Sequence, residues 1–306
     1  MKTKKNTQLL SPGHRACAGC GQMIAARTTA RTFGGDVIVA NSTGCLEVTT
    51  TPYPQSAWGM PWFHSLFENA SAIASGIRAG LDNKSKKNKK QKKIKVIAQG
   101  GDGSTFDIGF GLISGMWERG DDILYICYDN EAYANTGVQA SGATPWAAST
   151  TTTPSGIGHD INAIGSHQNK KDMVAIALAH GLKYVAQTTT GFIEDIQNKV
   201  KKAIAVEGPS YIQILCPCVP GWKINSADTV KIAKLASLTG LYPLLEYENG
   251  ILTNVRKLAQ PKKVEDYLSL QGRFGHLFKS KEGKKQIKYI QKLADENCKK
   301  YGLNGN

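Results

Sequence analysis

The amino-acid sequence predicts an α/β fold in which a parallel sheet carries helices on both faces and a helical tail follows. Three observations lead to this prediction: short apolar segments alternate with longer helical segments, glycines follow several of those helical segments, and no segment has 18 consecutive apolar residues. With 306 residues, of which 41% are hydrophobic and 20% charged, the chain can bury a sizeable core.

The predicted strands are short and apolar, as expected for strands that are buried on both faces. They are residues 36–40, 94–99, 122–128, 184–187 and 211–215. The predicted helices between and beside them are residues 66–81, 106–119, 172–180 and 191–206. Gly120 and Gly181 end two of these helices. This alternation indicates parallel strands joined by crossover helices.

We expect three regions along the chain. Residues 1–50 form a cysteine-containing N-terminal segment packed on the main domain, residues 51–262 form the α/β domain, and residues 263–306 form a Lys-rich helical tail that packs on a neighbour or on the domain surface. Residues 135–171 are rich in Thr, Ser, Gly and Pro. This segment is too long and polar for an ordinary connection, so it is predicted to be a functional loop or a partner surface.

The formal net charge of +14 is concentrated in the lysine-rich run at residues 84–95. A solvated loop is the favoured interpretation, because like charges this dense repel one another. Docking of an acidic protein is the second interpretation, and nucleic-acid binding is disfavoured because no aromatic residues interleave the lysines. The basic N-terminus precedes no signal-length apolar stretch, so we expect a soluble cytoplasmic protein that binds neither membrane nor nucleic acid.

Seven cysteines are present, and most of them are grouped. Cys17 and Cys20 form a Cys-x-x-Cys pair, Cys45 follows, and Cys216 and Cys218 flank a proline. Without a secretory leader, such grouping favours a metal or iron–sulfur site over disulfides. A structural zinc site remains the alternative, since zinc accepts the same ligands. The other two, one in an apolar strand and one in the charged tail, are predicted to be unligated: Cys127 and Cys298.

A second candidate site follows two of the predicted strands. Gly101-Asp102-Gly103 lies between a strand and a helix, where glycines let the main chain approach a phosphate and Asp can hold a divalent ion. The next strand leads to Asn130, with 26 residues between Gly103 and Asn130. One helix and one strand fill that gap, so both loops emerge at the same sheet edge, where such sheets bind ligands. Together they predict a site for magnesium and a diphosphate; a tight turn capped by Asp102 is the alternative.

The Gly-Asp-Gly motif and its distant Asn resemble the thiamine diphosphate fingerprint, and the wider sequence resembles the β subunit of pyruvate:ferredoxin oxidoreductase, a 2-oxoacid:ferredoxin oxidoreductase. The resemblance extends from near the N-terminus to at least Trp222. It is carried by residues 13–21, 44–48, 51–55, 101–109, 128–137 and 218–222. Ser104 departs from the family, which often has an acidic residue or Gly there, and residues 158–168 have no counterpart that we can assign.

The resemblance implies a thiamine diphosphate-binding fold that holds thiamine diphosphate, Mg²⁺ and one 4Fe-4S cluster. Asp102 and Asn130 would give side-chain oxygens to Mg²⁺, and Ala132 its carbonyl oxygen. Asn135 would be the catalytic group at the thiazolium end, although a turn residue with positive φ is the alternative. Further implied cofactor-binding residues are Gly101, Gly103, Ser104, Thr136, Gly137 and Cys45.

The family's cluster has four cysteine ligands, and Cys17, Cys20 and Cys45 match three of them by local motif. The fourth ligand is ambiguous. Alignment of Cys-x-x-Gly-Trp favours Cys218, with Cys216 as the alternative.

The activity that the resemblance implies is the oxidative decarboxylation of pyruvate with coenzyme A to acetyl-CoA and CO₂, with electrons passed through the cluster to ferredoxin. In the family, the α subunit supplies the Glu that acts on the aminopyrimidine ring. We therefore expect an α partner, with γ and δ subunits, and an inactive isolated chain.

Three alternatives to this activity stay open. The same reaction could act on another small 2-oxo acid, such as a branched-chain 2-oxo acid, 2-oxoglutarate or oxalate. A non-oxidative thiamine enzyme is a second alternative, but its reaction would give no role to Cys17, Cys20, Cys45 and Cys218. A structural zinc or nucleic-acid-binding module would account for the Cys-x-x-Cys pair and the lysine-rich run.

Overall fold

One sheet of eight strands forms the centre of the protein. The computed structural model describes residues 9–34, 36–88, 93–156 and 163–305. In chain order the strands are β1 (Val37–Asn41), β2 (Trp62–His64), β3 (Lys95–Gly101), β4 (Ile123–Asp129), β5 (Tyr184–Thr189), β6 (Ser210–Leu215), β7 (Leu245–Glu248) and β8 (Ile251–Val255). Their order across the sheet is β2-β1-β3-β4-β6-β5-β7-β8.

The first six strands pair in parallel, whereas β7 pairs antiparallel with both β5 and β8. The mostly parallel sheet confirms the predicted α/β fold. The antiparallel hairpin at one edge was not predicted. Its turn is Asn249-Gly250, with φ of 52° and 80°, which is the positive-φ pair that a two-residue hairpin favours.

Helices cover both faces of this sheet, as predicted. In chain order they are α1 (Gly21–Phe33), α2 (Cys45–Thr50), α3 (Ala70–Lys87), α4 (Phe110–Glu118), α5 (Met173–Ala179), α6 (Ile193–Ala205), α7 (Val219–Trp222), α8 (Thr229–Leu238), α9 (Val264–Leu268) and α10 (Lys281–Lys300). A π-helix, Gly103–Ile108, joins β3 to α4, and 3₁₀ turns occupy Ser226–Asp228 and Gly272–Phe278.

Alternate side chains of β3 enter different cores, as the period of a strand requires. Ile97 packs in the cluster that contains residues of α1 and α6. Val96 and Ala98 pack in the cluster that contains residues of α3, α4 and α5. The two clusters lie on opposite faces, so the sheet is buried between two helical layers.

The C-terminal helices pack on the same chain. Ile287, Ile290 and Ala294 of α10 join Trp222 and Phe274 in a third buried cluster. The tail therefore covers the domain surface, one of the two arrangements expected from its sequence. Within the described ranges, no helix combines the length and the apolar character needed to cross a membrane.

The lysine-rich run connects α3 to β3. Lys84, Lys86 and Lys87 belong to α3, and Lys95 is the first residue of β3. The middle of the run, residues 89–92, lies outside the described residues. The run therefore reaches the sheet at the amino end of β3, on the edge opposite the strands' carboxyl ends.

Candidate active site

Four neighbouring strands bring the predicted site residues to one edge of the sheet. In the register of the sheet, Asn41 of β1 pairs with Gln99 of β3, Gly101 of β3 with Tyr128 of β4, and Asp129 of β4 with Leu215 of β6. The chain leaves these strands toward Cys45, Asp102, Asn130 and Cys218, respectively. The structure therefore brings together loops that are far apart in sequence.

A cavity of about 240 Å³ lies where the loops after β1, β3 and β4 meet. We call it the glycine-lined cavity. Eight of the predicted residues line it: Cys45, Gly101, Asp102, Gly103, Asn130, Ala132, Asn135 and Thr136. The structure does not bring Ser104 or Gly137 into this lining. The Ser104 hydroxyl is buried and donates to the Ser42 hydroxyl at 2.7 Å, and Gly137 lies in a turn with φ of 123°.

Asp102 is held in a fixed orientation at the floor of this cavity. Its Oδ1 accepts the backbone N–H of Asn130 at 3.1 Å, and its Oδ2 accepts the hydroxyl of Ser141 at 2.5 Å. The side chain is only 1% exposed. Burial, together with the nearby charge of Asp129, raises the pKa of Asp102 to about 8. A bound cation would stabilise the ionised carboxylate at this position.

The side-chain amide of Asn130 faces two oxygen atoms. One amide atom lies 3.1 Å from Oδ1 of Asp102 and 2.7 Å from the carbonyl oxygen of Ala132. With the NH₂ group turned inward, the amide donates to both oxygens. With its oxygen turned inward, three oxygens face one point, which is the ligand chemistry that Mg²⁺ prefers. The donor set therefore fits a divalent cation.

The two glycines on either side of Asp102 have different surroundings. A Cβ at Gly101 would meet only the carbonyl oxygen of Tyr128, 4.0 Å away, so the cavity is open beside it. A Cβ at Gly103 would lie 2.5 Å from the ring of Tyr133. Gly101 thus leaves room for a ligand against its main chain, whereas Gly103 is required by packing.

A second cavity, of about 230 Å³, adjoins the first, and we call it the cysteine cavity. Its lining includes all four predicted cluster ligands and a fifth cysteine: Cys17, Cys20, Cys45, Cys218 and Cys216. Burial raises the pKa of Cys45 to about 12, with further contributions from Cys218, Cys20 and Cys17. The four thiols are neighbours in space, since all four line this one cavity.

Thiols with raised pKa values are protonated at neutral pH unless a metal takes the place of the proton. The four-thiol donor set fits an iron–sulfur cluster. Across the described parts of the chain, no three His, Cys, Asp or Glu side chains lie close enough together to ligate one metal ion. The thiols instead surround a cavity.

Cys216 and Cys218 differ in their surroundings. Cys216 lines the cavity but is fully buried, and its thiol donates to the carbonyl oxygen of Ile214 at 3.1 Å. Cys218 is half-buried, and its Sγ accepts the N–H of Gly221 at 3.4 Å. Burial raises the pKa of both thiols, and Cys20 contributes to each of these shifts, whereas Cys218 also contributes to the raised pKa of Cys45.

Residues from the loop after β4 separate the two cavities. Asn130, Ala134 and Asn135 line both of them, together with Cys45. Asn135 is exposed and is not among the residues with positive φ. Asn135 does lie in a turn, at residues 134–137, so only the positive φ of the alternative interpretation is wrong.

Sequence reasoning missed a buried network of charges beneath this loop. Lys170 lies 2.5 Å from Oδ2 of Asp129 and 2.9 Å from Oε1 of Glu131, and Arg273 lies 2.6 Å from Oε2 of Glu131. Although burial acts to lower it, these two carboxylates hold the pKa of Lys170 above its ordinary value. Lys170 and Ser141 both come from the long polar segment 135–171, whose composition was the only signal in the sequence.

The comparisons with known proteins agree with this geometry. Residues 42–214 match the family described as thiamine pyrophosphate enzyme, C-terminal TPP binding domain. Pyruvate synthase subunit PorB of Methanosarcina barkeri is 51% identical over 302 residues, which are 99% of each chain. PorB of Thermotoga maritima is 42% identical over 94% of this chain and 89% of its own length.

Two further proteins widen the comparison. Ketoisovalerate oxidoreductase subunit VorB of Pyrococcus abyssi is 40% identical over 93% of this chain and 89% of its own length. A solved 2-oxoglutarate:ferredoxin oxidoreductase from Magnetococcus marinus shares the fold, with a TM-score of 0.58 and 22% identity over 76% of this chain and 81% of that chain. From its near full-length identity to the PorB proteins, the chain belongs to the PorB family of pyruvate synthase subunits.

Proposed function

We propose that this chain is the catalytic β subunit of a cytoplasmic pyruvate synthase, which converts pyruvate and coenzyme A to acetyl-CoA and CO₂ and passes the electrons through a 4Fe-4S cluster to ferredoxin. One observation carries the proposal: a cavity with a magnesium-type set of oxygens shares a wall with a cavity surrounded by four thiols. The names of the PorB relatives support pyruvate as the substrate.

In the glycine-lined cavity, Asp102, Asn130 and the carbonyl of Ala132 would hold Mg²⁺, and the main chain at Gly101 would lie against the diphosphate. Thiamine diphosphate, when bound, supplies the carbon nucleophile and the electron sink on which decarboxylation of a 2-oxo acid depends. The chain's own contribution is to orient the metal ligands and to enclose the cofactor. Ser141 fixes the Asp102 carboxylate, so the metal ligands are in place before the cofactor arrives.

Asn135 would act at the boundary between the two cavities. Its amide is neutral and exposed, so it can hydrogen-bond the substrate without placing a charge beside the reacting carbon. Cys17, Cys20, Cys45 and Cys218 would hold the cluster, which supplies one-electron redox chemistry. Because Cys45 lines both cavities, the two cofactors would lie next to each other.

The proposal includes an α partner, with γ and δ subunits in the assembly. Leu66, whose neighbour Phe67 lines the glycine-lined cavity, is exposed, and so are two other large apolar side chains of the same part of the chain, Tyr53 and Phe63. Exposed apolar surface of this kind marks an interaction site. An α subunit docked there would cover the cavity and supply the aminopyrimidine half of the site.

A branched-chain 2-oxo acid is the second candidate substrate. The VorB protein, named a ketoisovalerate oxidoreductase subunit, is 40% identical, close to the 42% of the Thermotoga PorB protein. Identity in this range does not separate the two substrates, whereas the 51% identity to the Methanosarcina PorB protein favours pyruvate.

Anaerobic purification of the chain together with its partner subunits tests the proposal. We expect thiamine diphosphate, Mg²⁺ and about four iron and four sulfide per cluster site, and coenzyme A-dependent ferredoxin reduction that is fastest with pyruvate in a panel of 2-oxo acids. Zinc without iron, or a complex that lacks thiamine diphosphate, would overturn it. Faster turnover of a branched-chain 2-oxo acid would replace the substrate and leave the rest of the proposal in place.

A further inference from the structure

A tryptophan that lines neither cavity connects them. Trp222 is the last residue of α7, the helical turn that Cys218 precedes. The backbone N–H of Trp222 donates to the carbonyl oxygen of Cys218 at 2.8 Å. The indole Nε1–H of Trp222 donates to the carbonyl oxygen of Asn130, also at 2.8 Å. One turn of helix therefore links a thiol of the cysteine cavity to a residue of the glycine-lined cavity.

A second contact holds the indole of Trp222, this time over the face of its ring. The guanidinium of Arg273 lies 3.8 Å from the centroid of the Trp222 ring, and the same guanidinium binds the carboxylate of Glu131. Glu131 follows Asn130 and has φ of 63°, a conformation that is uncommon for a residue other than glycine. The surrounding contacts must hold that backbone in place, and Trp222 with Arg273 provides two of them.

The main chain of Asn130 is held on both sides of its side chain. Its N–H donates to Asp102, and its carbonyl oxygen accepts from Trp222. The direction of the Asn130 amide and the position of the Ala132 carbonyl, two residues later, depend on this peptide geometry. Removal of the indole N–H would leave the buried carbonyl of Asn130 without its donor, and the loop would relax toward another one.

We propose that Trp222 is a positioning residue for the metal site: its indole N–H fixes Asn130 so that the Asn130 amide and the Ala132 carbonyl face Asp102. The inference rests on the proposed role of these three residues as magnesium ligands. It adds to that role a residue outside the cavity that sets the affinity for the metal. Loss of groups that orient metal ligands typically weakens metal affinity by about 10- to 100-fold.

The test is the W222F substitution in the complex copurified with its partner subunits. Phenylalanine keeps an aromatic ring for Arg273 and removes only the N–H donor and part of the ring. At saturating thiamine diphosphate, we expect the Kd for Mg²⁺, measured by isothermal titration calorimetry, to rise about 10- to 100-fold. We expect kcat at saturating Mg²⁺ and the iron content to stay near their wild-type values, because the Cys218 thiol remains in place.

W117F is the matched control. Trp117 is also fully buried, but its indole nitrogen has no hydrogen-bond partner among the residues that the structure describes. The substitution removes the same atoms from a core position far from the loop after β4, so the Kd for Mg²⁺ should not change. An equal loss of magnesium affinity in W117F would show that W222F acts through general destabilisation and would overturn the inference.

Two further outcomes are informative. A wild-type Kd for Mg²⁺ in W222F would refute the positioning role, whereas a wild-type complex that binds neither Mg²⁺ nor thiamine diphosphate would refute the proposed function itself. If the W222F complex fails to assemble, W222M provides a second variant without the N–H donor, since the flexible methionine side chain fills irregular core gaps. A raised Kd for Mg²⁺ in W222M would support the inference, and a wild-type value would overturn it.

Discussion

At the scale of single residues, the raised pKa of the Asp102 carboxyl bears on whether this side chain binds a cation. It is buried, it faces the amide of Asn130 and the carbonyl of Ala132, and its pKa is raised to about 8. A raised pKa means that the metal-free protein favours the neutral carboxyl near pH 7. A neutral isostere should therefore replace Asp102 in the metal-free fold at little cost, while removing the charge that a cation needs.

D102N should accordingly keep the wild-type melting temperature in the absence of Mg²⁺ but lose at least about 100-fold in affinity for Mg²⁺. Thermal unfolding and isothermal titration calorimetry of the copurified complex measure the two quantities. D121N removes a carboxylate that binds Ser75 and Arg119 away from the cavity, and it should not change metal affinity. Magnesium binding of wild-type strength in D102N would exclude Asp102 as a ligand.

Gly101 offers a test of the diphosphate position. A Cβ there meets no atom closer than 4.0 Å, so G101A should fold normally. Its methyl group would occupy space against which we place the diphosphate, and thiamine diphosphate affinity should fall about tenfold or more, as seen by equilibrium dialysis. Gly111, which also has open space beside it, provides the control: G111A should bind the cofactor as the wild type does. Equal binding by G101A and G111A would contradict the placement.

Substitution of the two cysteines after β6 should have opposite effects on the iron content of the complex. C218S should lose a cluster ligand and with it most of the iron and the visible absorbance of the anaerobically purified complex. C216S should retain both, because its thiol lies in the core and donates to Ile214. Iron analysis and electron paramagnetic resonance of the reduced samples distinguish the variants. Iron loss confined to C216S would reverse the assignment.

At the scale of secondary-structure elements, the sequence predicted the parts of the fold that depend on apolar periodicity. The strand β4 is an almost continuous apolar run because both of its faces are buried. Gly120 and Gly181, both with positive φ, follow the ends of two helices. The three residues of β2 are too few to show a pattern. The hairpin was missed although Asn249-Gly250 is a strong local signal, and the π-helix carries no signature that we recognised.

The candidate site, like the fold, has parts that the sequence could predict and parts that it could not. The loop tips after β3 and β4 could be predicted because their motifs lie directly at strand ends, and parallel strands bring such ends together. The supporting contacts could not be predicted. Ser141, Lys170, Trp222 and Arg273 reach the site from distant parts of the chain, and only packing determines which side chains meet there.

An ion pair connects the amino ends of the central strands, on the side of the sheet away from the candidate site. Lys95, the first residue of β3, lies 2.5 Å from Asp122, which precedes β4, and Asp122 also accepts the N–H of Gly208 before β6. Although burial acts to raise it, the hydrogen bond from Lys95 holds the pKa of Asp122 below its ordinary value of 3.8. The pKa of Lys95 is lowered by its own burial, which reflects the cost of placing the ammonium there and not a missing partner.

D122N should therefore reduce the free energy of unfolding by about 2 kcal/mol near pH 7, after allowance for the partial exposure of Asp122. Because a lowered carboxyl pKa stabilises the fold above the ordinary value, this contribution is lost as the pH falls below about 4. The difference between wild type and D122N in urea unfolding should shrink accordingly. The exposed pair of Lys93 and Glu207 serves as control, since E207Q should leave stability unchanged. A constant difference from pH 7 to pH 3 would argue against the ion pair.

At the scale of the whole molecule, an exposed apolar side chain lies at or next to each edge strand of the sheet. Leu66 follows the edge strand β2 and is 66% exposed, and Ile251 lies on the other edge strand, β8, and is 68% exposed. Only Leu66 lies beside the glycine-lined cavity, where its neighbour Phe67 is part of the lining. If the α partner covers the cavity, the two leucine-sized side chains should differ in importance.

L66D should reduce copurification of the α subunit at least about tenfold, because a carboxylate would be buried without a partner at the interface. I251D should assemble as the wild type does. Circular dichroism should show both variants folded, since neither side chain is part of a buried core. Loss of the α subunit from I251D alone would place the interface on the opposite edge of the sheet.

If the four thiols hold the proposed cluster, the position of the lysine-rich run bears on where a redox partner would bind. Lys95 and Gly101 are the two ends of β3, and a strand of that length spans about 20 Å. A negatively charged redox protein bound beside Lys95 would therefore lie about the length of this strand from the sheet edge at which the thiols are found. In the proposed function, the acceptor would instead bind at the carboxyl ends of the strands, so neutralising Lys84, Lys86 and Lys87 of α3 should leave its rate of reduction unchanged.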